Sequence, residues 1–224
     1  MSEIRGDLLA LEAVLDAVRG LELCGVVAAG DHCLGGPQPF EVWQRLRGLG
    51  ATLVRGPTDL ALGTLRAEAV TPRDAAQQAA LQQFLETRGA LGDLLCRRLA
   101  ELPTTAVVSL DDRSGVMVLA GSPRDDHATL GVELDDDELD DATACVAEDV
   151  LVVGRCCTGF VRRLSRLLVV NAGSVAKNAC IGPEGRRTAH AVLIQPYTDG
   201  VVRAFGTDIA VAGAEPEGLR ARVG

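Results

Sequence analysis

The sequence predicts an α/β fold, and three observations support that prediction. Two short apolar runs in the first quarter are each followed by a helical pattern, which is typical of a parallel sheet. Strand-like runs separated by turns fill most of the second half, which predicts antiparallel pairing there. The 224 residues are 47% hydrophobic and 24% charged, so they can bury a full core, and we expect one domain over 1–224.

Hydrophobic spacing and end signals place the elements of the first half. Apolar residues from Leu8 to Val18 recur at helical spacing, and Asp7 is a suitable N-cap for that helix. The pair Thr71-Pro72 indicates the start of a long helical segment, with a break at Gly89. The predicted order is a helix at 8–18, a strand at 24–29, a helix through 42–49, a strand at 51–54, a helix at 60–69 and a helical hairpin at 71–102.

The second half has shorter apolar runs, which predict strands joined by tight turns. An acidic run from Asp135 to Asp141 is interpreted as the solvated start of a helix. The predicted order is a hairpin at 106–110 and 116–120 around a turn at 111–115, a helix at 138–147, strands at 150–153, 160–163, 167–170 and 189–194, a turn at 198–200 and a strand at 201–209.

Charge, apolar run length and cysteine spacing exclude several function classes. The chain has 22 Lys and Arg against 31 Asp and Glu, a formal charge of −9, which argues against a nucleic-acid partner. No apolar run approaches the ~20 residues that span a bilayer, so no membrane association is expected. Seven cysteines without a C-x-x-C pair, and a start without a signal-peptide pattern, predict reduced thiols in the cytoplasm.

Polar residues follow several predicted strands, where ligands bind in open α/β sheets. Six blocks along the chain resemble, in order, those of the calcineurin-like metallophosphoesterases, in particular their small bacterial and archaeal phosphodiesterase branch. The blocks are Ser2-Glu3-Ile4-Arg5-Gly6-Asp7-Leu8, Gly30-Asp31 with Gly36-Pro37, Val54-Arg55-Gly56 with Asp59, Gly121-Ser122-Pro123-Arg124-Asp125, Asp149-Val150-Leu151-Val152-Val153-Gly154, and Val169-Val170-Asn171-Ala172-Gly173-Ser174-Val175.

The resemblance implies a four-layer αββα sandwich of two mixed sheets. The first strand of the family would precede Ser2, so that strand is expected to be missing or truncated. The family hydrolyses phosphate esters with two metal ions, typically Mn, Fe, Zn or Ni. These ions polarise the phosphoryl oxygens and generate hydroxide from a bridging water.

The same resemblance shows where this sequence departs from the family's metal site. Of the family's ligand positions, only the bridging aspartate, Asp31, keeps its residue type. Two substitutions introduce guanidinium groups, which stay protonated and repel metal ions. The degenerate positions are Glu3 and Arg5 for Asp-x-His, Pro57, Thr58 and Asp59 for Asn-His-Asp, Ala120 for a histidine, and Arg155 and Cys157 for His-x-His.

Three functional hypotheses follow. The preferred one is a catalytically inactive metallophosphoesterase-like protein that needs no cofactor and acts as a regulatory or interaction scaffold. It predicts a protein partner, with a second copy of this chain as one candidate. The alternative is a weak metal-dependent phosphoesterase that holds Mn, Fe, Zn or Ni through Glu3, Asp31 and Cys157. A third is an anion or nucleotide sensor built on Arg5, Arg155 and Ser174. His32 follows Asp31 closely enough to orient it, but it is interpreted as an ordinary loop histidine.

Overall fold

Strands and helices alternate along the chain in the order that a layered α/β fold requires. The computed structural model describes residues 1–110, 114–125, 127–176, 188–196 and 202–211. Within these ranges the elements are α1 (Leu8–Ala17), β1 (Val27–Ala29), α2 (Pro39–Gly48), β2 (Thr52–Val54), α3 (Pro57–Thr64), a 3-10 turn (Ala67–Ala69), α4 (Ala75–Ala100), β3 (Thr105–Ser109), β4 (Gly115–Leu119), α5 (Asp136–Thr143), β5 (Val150–Val153), β6 (Phe160–Arg163), β7 (Leu168–Asn171), β8 (Thr188–Pro196) and β9 (Val202–Ala210).

Five strands form a mixed sheet in the order β3-β4-β5-β7-β6. The outer strands β3 and β6 pair antiparallel with their neighbours, whereas β4, β5 and β7 run parallel. The expectation of an antiparallel second half is therefore wrong for the centre of this sheet. The segment that contains α5 crosses from β4 to β5, and such a crossover returns the chain in the same direction. Strands β5 and β7 are buried on both faces.

The other layer of strands includes the start of the chain. Strands β1 and β2 pair in parallel, and β8 and β9 form an antiparallel hairpin. Between these pairs, the Met1 carbonyl accepts from Ala29 N (2.9 Å) and the Ser2 carbonyl accepts from Val175 N (3.0 Å). Residues 1–3 thus occupy the place of the strand that was expected to be missing or truncated. They do so as a short segment bonded on both sides.

Three apolar clusters define the layers of the sandwich. One lies between the sheets, where β1 and β2 face the five-stranded sheet. A second packs α1, α2 and α4 on the outer side of β1 and the β8–β9 hairpin. A third packs α5 on the outer face of the five-stranded sheet. The order helices, sheet, sheet, helix is the αββα arrangement predicted from the family resemblance.

Several helix ends differ from the sequence prediction for local reasons. Helix α4 begins at Ala75 because Asp74 accepts from Gln77 N (2.7 Å), so the Thr71-Pro72 pair does not start it. The break lies at Gly92, whose φ of 75° and ψ of 160° leave the helical region, and not at Gly89. Helix α3 begins earlier than predicted, at Pro57. Helix α5 runs from Asp136 to Thr143 and ends before residue 147.

The acidic run forms the start of α5, as predicted. Asp135 accepts from Glu138 N and Glu138 accepts from Asp135 N, both at 2.9 Å, which makes a capping box. The centres of the predicted turns, 111–113 and 198–200, lie outside the described residues. No helix in the described ranges combines the length and apolar character needed to cross a membrane.

Candidate functional site

The polar residues that follow the strands meet at one edge of the sandwich. Residues 3–5 run beside the loop after β1, because Glu3 N donates to Gly30 O (3.1 Å) and Arg5 N donates to Asp31 O (3.0 Å). The loop after β2 joins them through Asp59, which accepts from Asp31 N (2.8 Å). The structure therefore brings together Glu3, Arg5, Asp31 and Asp59, which lie on three separate segments.

The backbone at this edge is strained. In the described ranges, four non-glycine residues have left-handed φ: Glu3 (49°), Arg5 (51°), Asp31 (59°) and Arg155 (60°). Left-handed backbone is unfavourable for residues with a Cβ, and such residues concentrate at functional sites. All four occupy positions that the family resemblance assigns to the metal site. Three of these four side chains differ from the residue types that the resemblance assigns to those positions.

Asp31, the position of the bridging aspartate, is held by Thr58. The buried Asp31 carboxylate accepts from Thr58 N (3.0 Å) and Thr58 Oγ1 (2.6 Å), both through Oδ1. A side chain at residue 56 would collide with it, because a Cβ added to Gly56 would lie 2.5 Å from Asp31 Oδ1. Thr58 is well placed because Pro57 and Thr58 form the first turn of α3.

Asp59 connects the loops after β1 and β2. Its buried carboxylate accepts from Asp31 N (2.8 Å), His32 N (3.0 Å) and Gly56 N (2.9 Å). Burial, and then the charge of Asp31, raise the pKa of Asp59, while His32 and the backbone donors oppose that shift. Two loops thus depend on this one side chain.

His32 is a site residue that was not among the predicted site residues. It lies in the loop after β1, as expected, and it is fully buried. Its Nε2 lies 2.9 Å from Val54 O and 3.8 Å from Asp59 Oδ2. Nδ1 is buried and has no hydrogen-bond partner. The available signal was its position directly after Asp31, in the loop that follows a short apolar strand.

Glu3 and Arg5 form an ion pair across one intervening residue. The Glu3 side chain is 5% exposed and that of Arg5 is 41% exposed, and Arg5 Nη2 donates to Glu3 Oε1. Glu3 Oε2 and Arg5 Nε are buried without a hydrogen-bond partner. One oxygen of a buried carboxylate is therefore paired with a guanidinium and the other is left unsatisfied.

The remaining predicted positions lie around this centre. Ala120 is buried, and a Cβ added to Gly30 would come within 2.7 Å of the Ala120 Cβ, so the two loops are in close contact. Ser174 Oγ donates to Ala176 O (3.2 Å) and Glu3 O (3.4 Å), so backbone carbonyls already use this hydroxyl. Arg155 and Cys157 follow β5 and are half-buried.

Asn171 and His190 tie the nearby loops together. Asn171 Nδ2 donates to Gly154 O (3.1 Å) and Leu130 O (3.0 Å), and its Oδ1 accepts from Gly173 N (3.0 Å). The ring of His190 fills the space beside Gly159 and Gly173, and its Nδ1 lies 2.9 Å from Ala172 O. Asn171 lies in a block that carries the family resemblance, but neither Asn171 nor His190 was among the predicted site residues.

Two of the carboxylates at this edge already have partners within the protein. Glu3 is paired with a guanidinium, and the Asp31 oxygen Oδ1 already accepts two hydrogen bonds. Among the described residues, no three His, Cys, Asp or Glu side chains are gathered closely enough to hold a metal ion.

Comparison with solved structures identifies the fold. The chain is similar to a hypothetical protein from Pyrococcus horikoshii, with a TM-score of 0.75, 19% identity and coverage of 93% of this chain and 86% of that one. It is similar at the same identity and coverage to a metallophosphoesterase from Sphaerobacter thermophilus, with a TM-score of 0.69. For Vacuolar Protein Sorting 29 from Cryptosporidium parvum the TM-score is 0.50, with 14% identity over 94% and 95% of the two chains.

These likenesses show that the chain has the fold of the calcineurin-like metallophosphoesterases. They confirm the fold expected from the six sequence blocks. No protein-family model matches the sequence, and no curated protein matches it.

Proposed function

We propose that this protein is a metallophosphoesterase-like pseudophosphatase that acts through protein binding, as a scaffold or regulatory subunit. The observation that supports this proposal most directly is the Glu3–Arg5 ion pair at the position of the family's Asp-x-His motif. A guanidinium stays protonated at every physiological pH, so it supplies to Glu3 the positive charge that a metal would otherwise supply.

The position that the resemblance assigns to the catalytic histidine also supports the proposal. Thr58 replaces the histidine of the family motif and donates to Asp31 Oδ1. A hydroxyl has no titratable proton near neutral pH, so Thr58 cannot serve as the general acid that an imidazole provides. Catalysis would therefore require a different set of metal ligands and a different general acid.

One observation favours the alternative of a weak metal-dependent phosphoesterase. Glu3 Oε2 is buried without a partner, and an unsatisfied carboxylate oxygen attracts a cation or a hydrogen-bond donor. Arg5 argues against this alternative because its positive charge would repel a metal ion bound to the Glu3 carboxylate. The anion-sensor hypothesis is weakened at Ser174, whose hydroxyl bonds to backbone carbonyls.

The deciding experiment combines metal analysis with an assay. Protein purified without chelators is analysed for metals by mass spectrometry, and hydrolysis of bis-p-nitrophenyl phosphate is measured with added Mn²⁺. We expect less than a tenth of a metal ion per chain, on the order of background, and no turnover above that of Asp31→Ala. Near-stoichiometric metal with turnover that disappears in Asp31→Ala would establish the phosphoesterase alternative.

The scaffold part of the proposal has its own test. Tagged wild-type protein and an Arg5→Glu variant are compared by quantitative affinity capture from the native organism under reducing conditions. We expect a partner that the wild type captures at least about 10-fold better than the variant. If both proteins captured the partner equally, the partner would bind a surface that does not include Arg5. We also propose a cytoplasmic location, where thiols stay reduced, since the six described cysteines form no disulfide with one another.

A further inference from the structure

The loop after β5 carries two consecutive cysteines, Cys156 and Cys157. Both are half-buried, and neither forms a disulfide with a described cysteine. The other described cysteines are either buried or exposed on separate segments of the chain, namely Cys33, Cys96, Cys24 and Cys145. Within the described ranges, this loop is therefore the place where two thiols adjoin in the chain and both reach solvent.

Both ends of this loop are fixed against neighbouring segments. At one end, Gly154 N donates to Ala120 O (3.1 Å) and Gly154 O accepts from Asn171 Nδ2 (3.1 Å). At the other end the His190 ring lies against Gly159, because a Cβ added to Gly159 would come within 2.2 Å of His190 Cε1. The two cysteines are therefore held at the edge that carries the candidate site.

The conformation of the loop allows the two thiols to reach one shared ligand. Consecutive side chains of a strand point to opposite faces of its sheet, as the alternating burial of β6 shows. Cys156 and Cys157 instead lie between β5 and β6, at a bend, and have the same half-buried state. Arg155, just before them, has a left-handed φ of 60°. The two Cα atoms are about 3.8 Å apart, as across any trans peptide bond, so a single atom can bond to both sulfurs.

We propose that Cys156 and Cys157 form a two-thiol binding site for trivalent arsenicals. Sulfur is a soft ligand that favours thiophilic centres over hard cations. Among the described residues, no three His, Cys, Asp or Glu side chains are grouped to hold a metal ion, so the four ligands of a structural zinc ion are not provided here. Trivalent arsenic is satisfied by two sulfurs from the protein, because its third position keeps the substituent that it brings.

The binding step is an exchange of ligands on arsenic. Each thiol attacks the arsenic atom as its thiolate, so two As–S bonds form and two As–O bonds break. The two thiol protons leave with the two displaced hydroxyl groups as water. Arsenic stays trivalent and both sulfurs keep their oxidation state, so no oxidant or reductant takes part.

Binding of this kind would change the surface at the candidate site. Arg155, one of the positions that the family resemblance assigns to the metal site, directly precedes the two cysteines and is half-buried as they are. An arsenical on both sulfurs would therefore lie next to it. The proposal does not depend on whether the protein has lost phosphoesterase activity, because the binding step involves no hydrolysis of a phosphate ester.

Phenylarsine oxide is the probe that tests the site. Reduced, folded protein is titrated with it in the presence of excess monothiol, and binding is measured by native mass spectrometry. Wild type should take up one arsenical per chain. Cys156→Ser and Cys157→Ser should each bind at least about 100-fold more weakly, because a single As–S bond loses the effective concentration that the second thiol provides. Cys24→Ser and Cys145→Ser, which remove exposed thiols elsewhere, are matched controls and should bind as wild type does.

Protection of the wild-type thiols gives a second measurement that does not depend on how a variant folds. Bound phenylarsine oxide should protect Cys156 and Cys157 from alkylation by iodoacetamide, as located by peptide mass spectrometry, and should leave Cys24 and Cys145 reactive. The proposal would be overturned if wild type took up no arsenical under these conditions, or if protection fell on other cysteines and not on this pair. A serine variant of the pair that kept both the wild-type circular dichroism spectrum and full affinity would also overturn it.

Discussion

The three carboxylates at the candidate site fall into two groups that differ in their hydrogen bonding. Asp59 accepts three backbone N–H bonds, and its neighbour Asp31 accepts two bonds from Thr58. Glu3 has one oxygen paired with Arg5 and the other without a partner, although it is as deeply buried as Asp31. We call the first set, Asp31, Thr58 and Asp59, the aspartate half, and the second, Glu3 and Arg5, the ion-pair half.

The difference indicates what each half does. Both carboxylate oxygens of Asp59 accept hydrogen bonds from backbone N–H groups. The aspartate half therefore links the loop after β1 to the loop after β2. The ion-pair half has an unsatisfied oxygen and a partly exposed guanidinium, so it stays open to an additional ligand or partner group. Substitutions in the two halves should therefore have different effects on stability.

The largest effect should come from Asp59→Ala. This change leaves three buried backbone N–H groups without their acceptor, and we expect a loss of about 3–5 kcal/mol in the free energy of unfolding. Urea denaturation followed by circular dichroism measures it. Asp93→Ala, whose side chain is 78% exposed, is the control and should change stability by less than about 0.5 kcal/mol. A similar small effect for Asp59→Ala would contradict the structural role.

Arg5→Ala should have the next largest effect. It leaves the buried Glu3 carboxylate unpaired, and we expect a loss of about 2 kcal/mol, since Arg5 is partly exposed and solvent screens the pair. The double variant Glu3→Gln/Arg5→Ala removes both charges and should regain at least half of that loss in a double-mutant cycle. Strictly additive effects would show that the two side chains do not interact.

Thr58→Val should have a smaller effect. It removes the hydroxyl that donates to Asp31 Oδ1 but keeps the backbone bond from Thr58 N, so we expect a loss of about 1 kcal/mol. Thr64→Val is a matched control, because the exposed Thr64 hydroxyl bonds only to Leu60 O in its own helix. Thermal unfolding should give a lower melting temperature for Thr58→Val than for Thr64→Val. Equal melting temperatures would mean that the Asp31 bond contributes nothing.

The free energy of unfolding should depend on pH through the titration of the Asp59 carboxyl. Burial raises the pKa of Asp59 in the folded protein above its unfolded value of 3.8, so the folded state binds the proton more tightly. Its contribution to stability is then present below pH 3.8 and lost as the pH rises through the folded pKa. The stability of wild type relative to Asp59→Asn should therefore decrease with rising pH. An increase would mean that the backbone donors outweigh burial.

The smallest effect should come from metal removal. Because Arg5 supplies the charge beside Glu3, dialysis against EDTA and later addition of Mn²⁺ should each move the melting temperature by less than about 1 °C. Differential scanning fluorimetry of the same preparation before and after dialysis measures this. A fall on chelation that Mn²⁺ restores would show that the ion-pair half binds metal.

Local signals in the sequence predicted much of the fold. Asp7 was correctly placed as the cap of α1, where it accepts from Ala10 N (3.1 Å), and the β3–β4 hairpin lies within one residue of its predicted bounds. The break at Gly89 was wrong, because two glycines three residues apart look alike in sequence. Only the packed helix decides that Gly92 takes the left-handed conformation.

The sequence by itself determined the fold class and the residue types, such as Arg5 and Thr58, at the positions that the family resemblance assigns to the active site. The tertiary structure decided which groups meet. It placed His32 in the core and three backbone donors on Asp59, since contacts between residues 27 or 28 positions apart depend on how two loops pack. It also decided that β3 is an edge strand, because the order of strands in a sheet is set by packing and not by any local pattern.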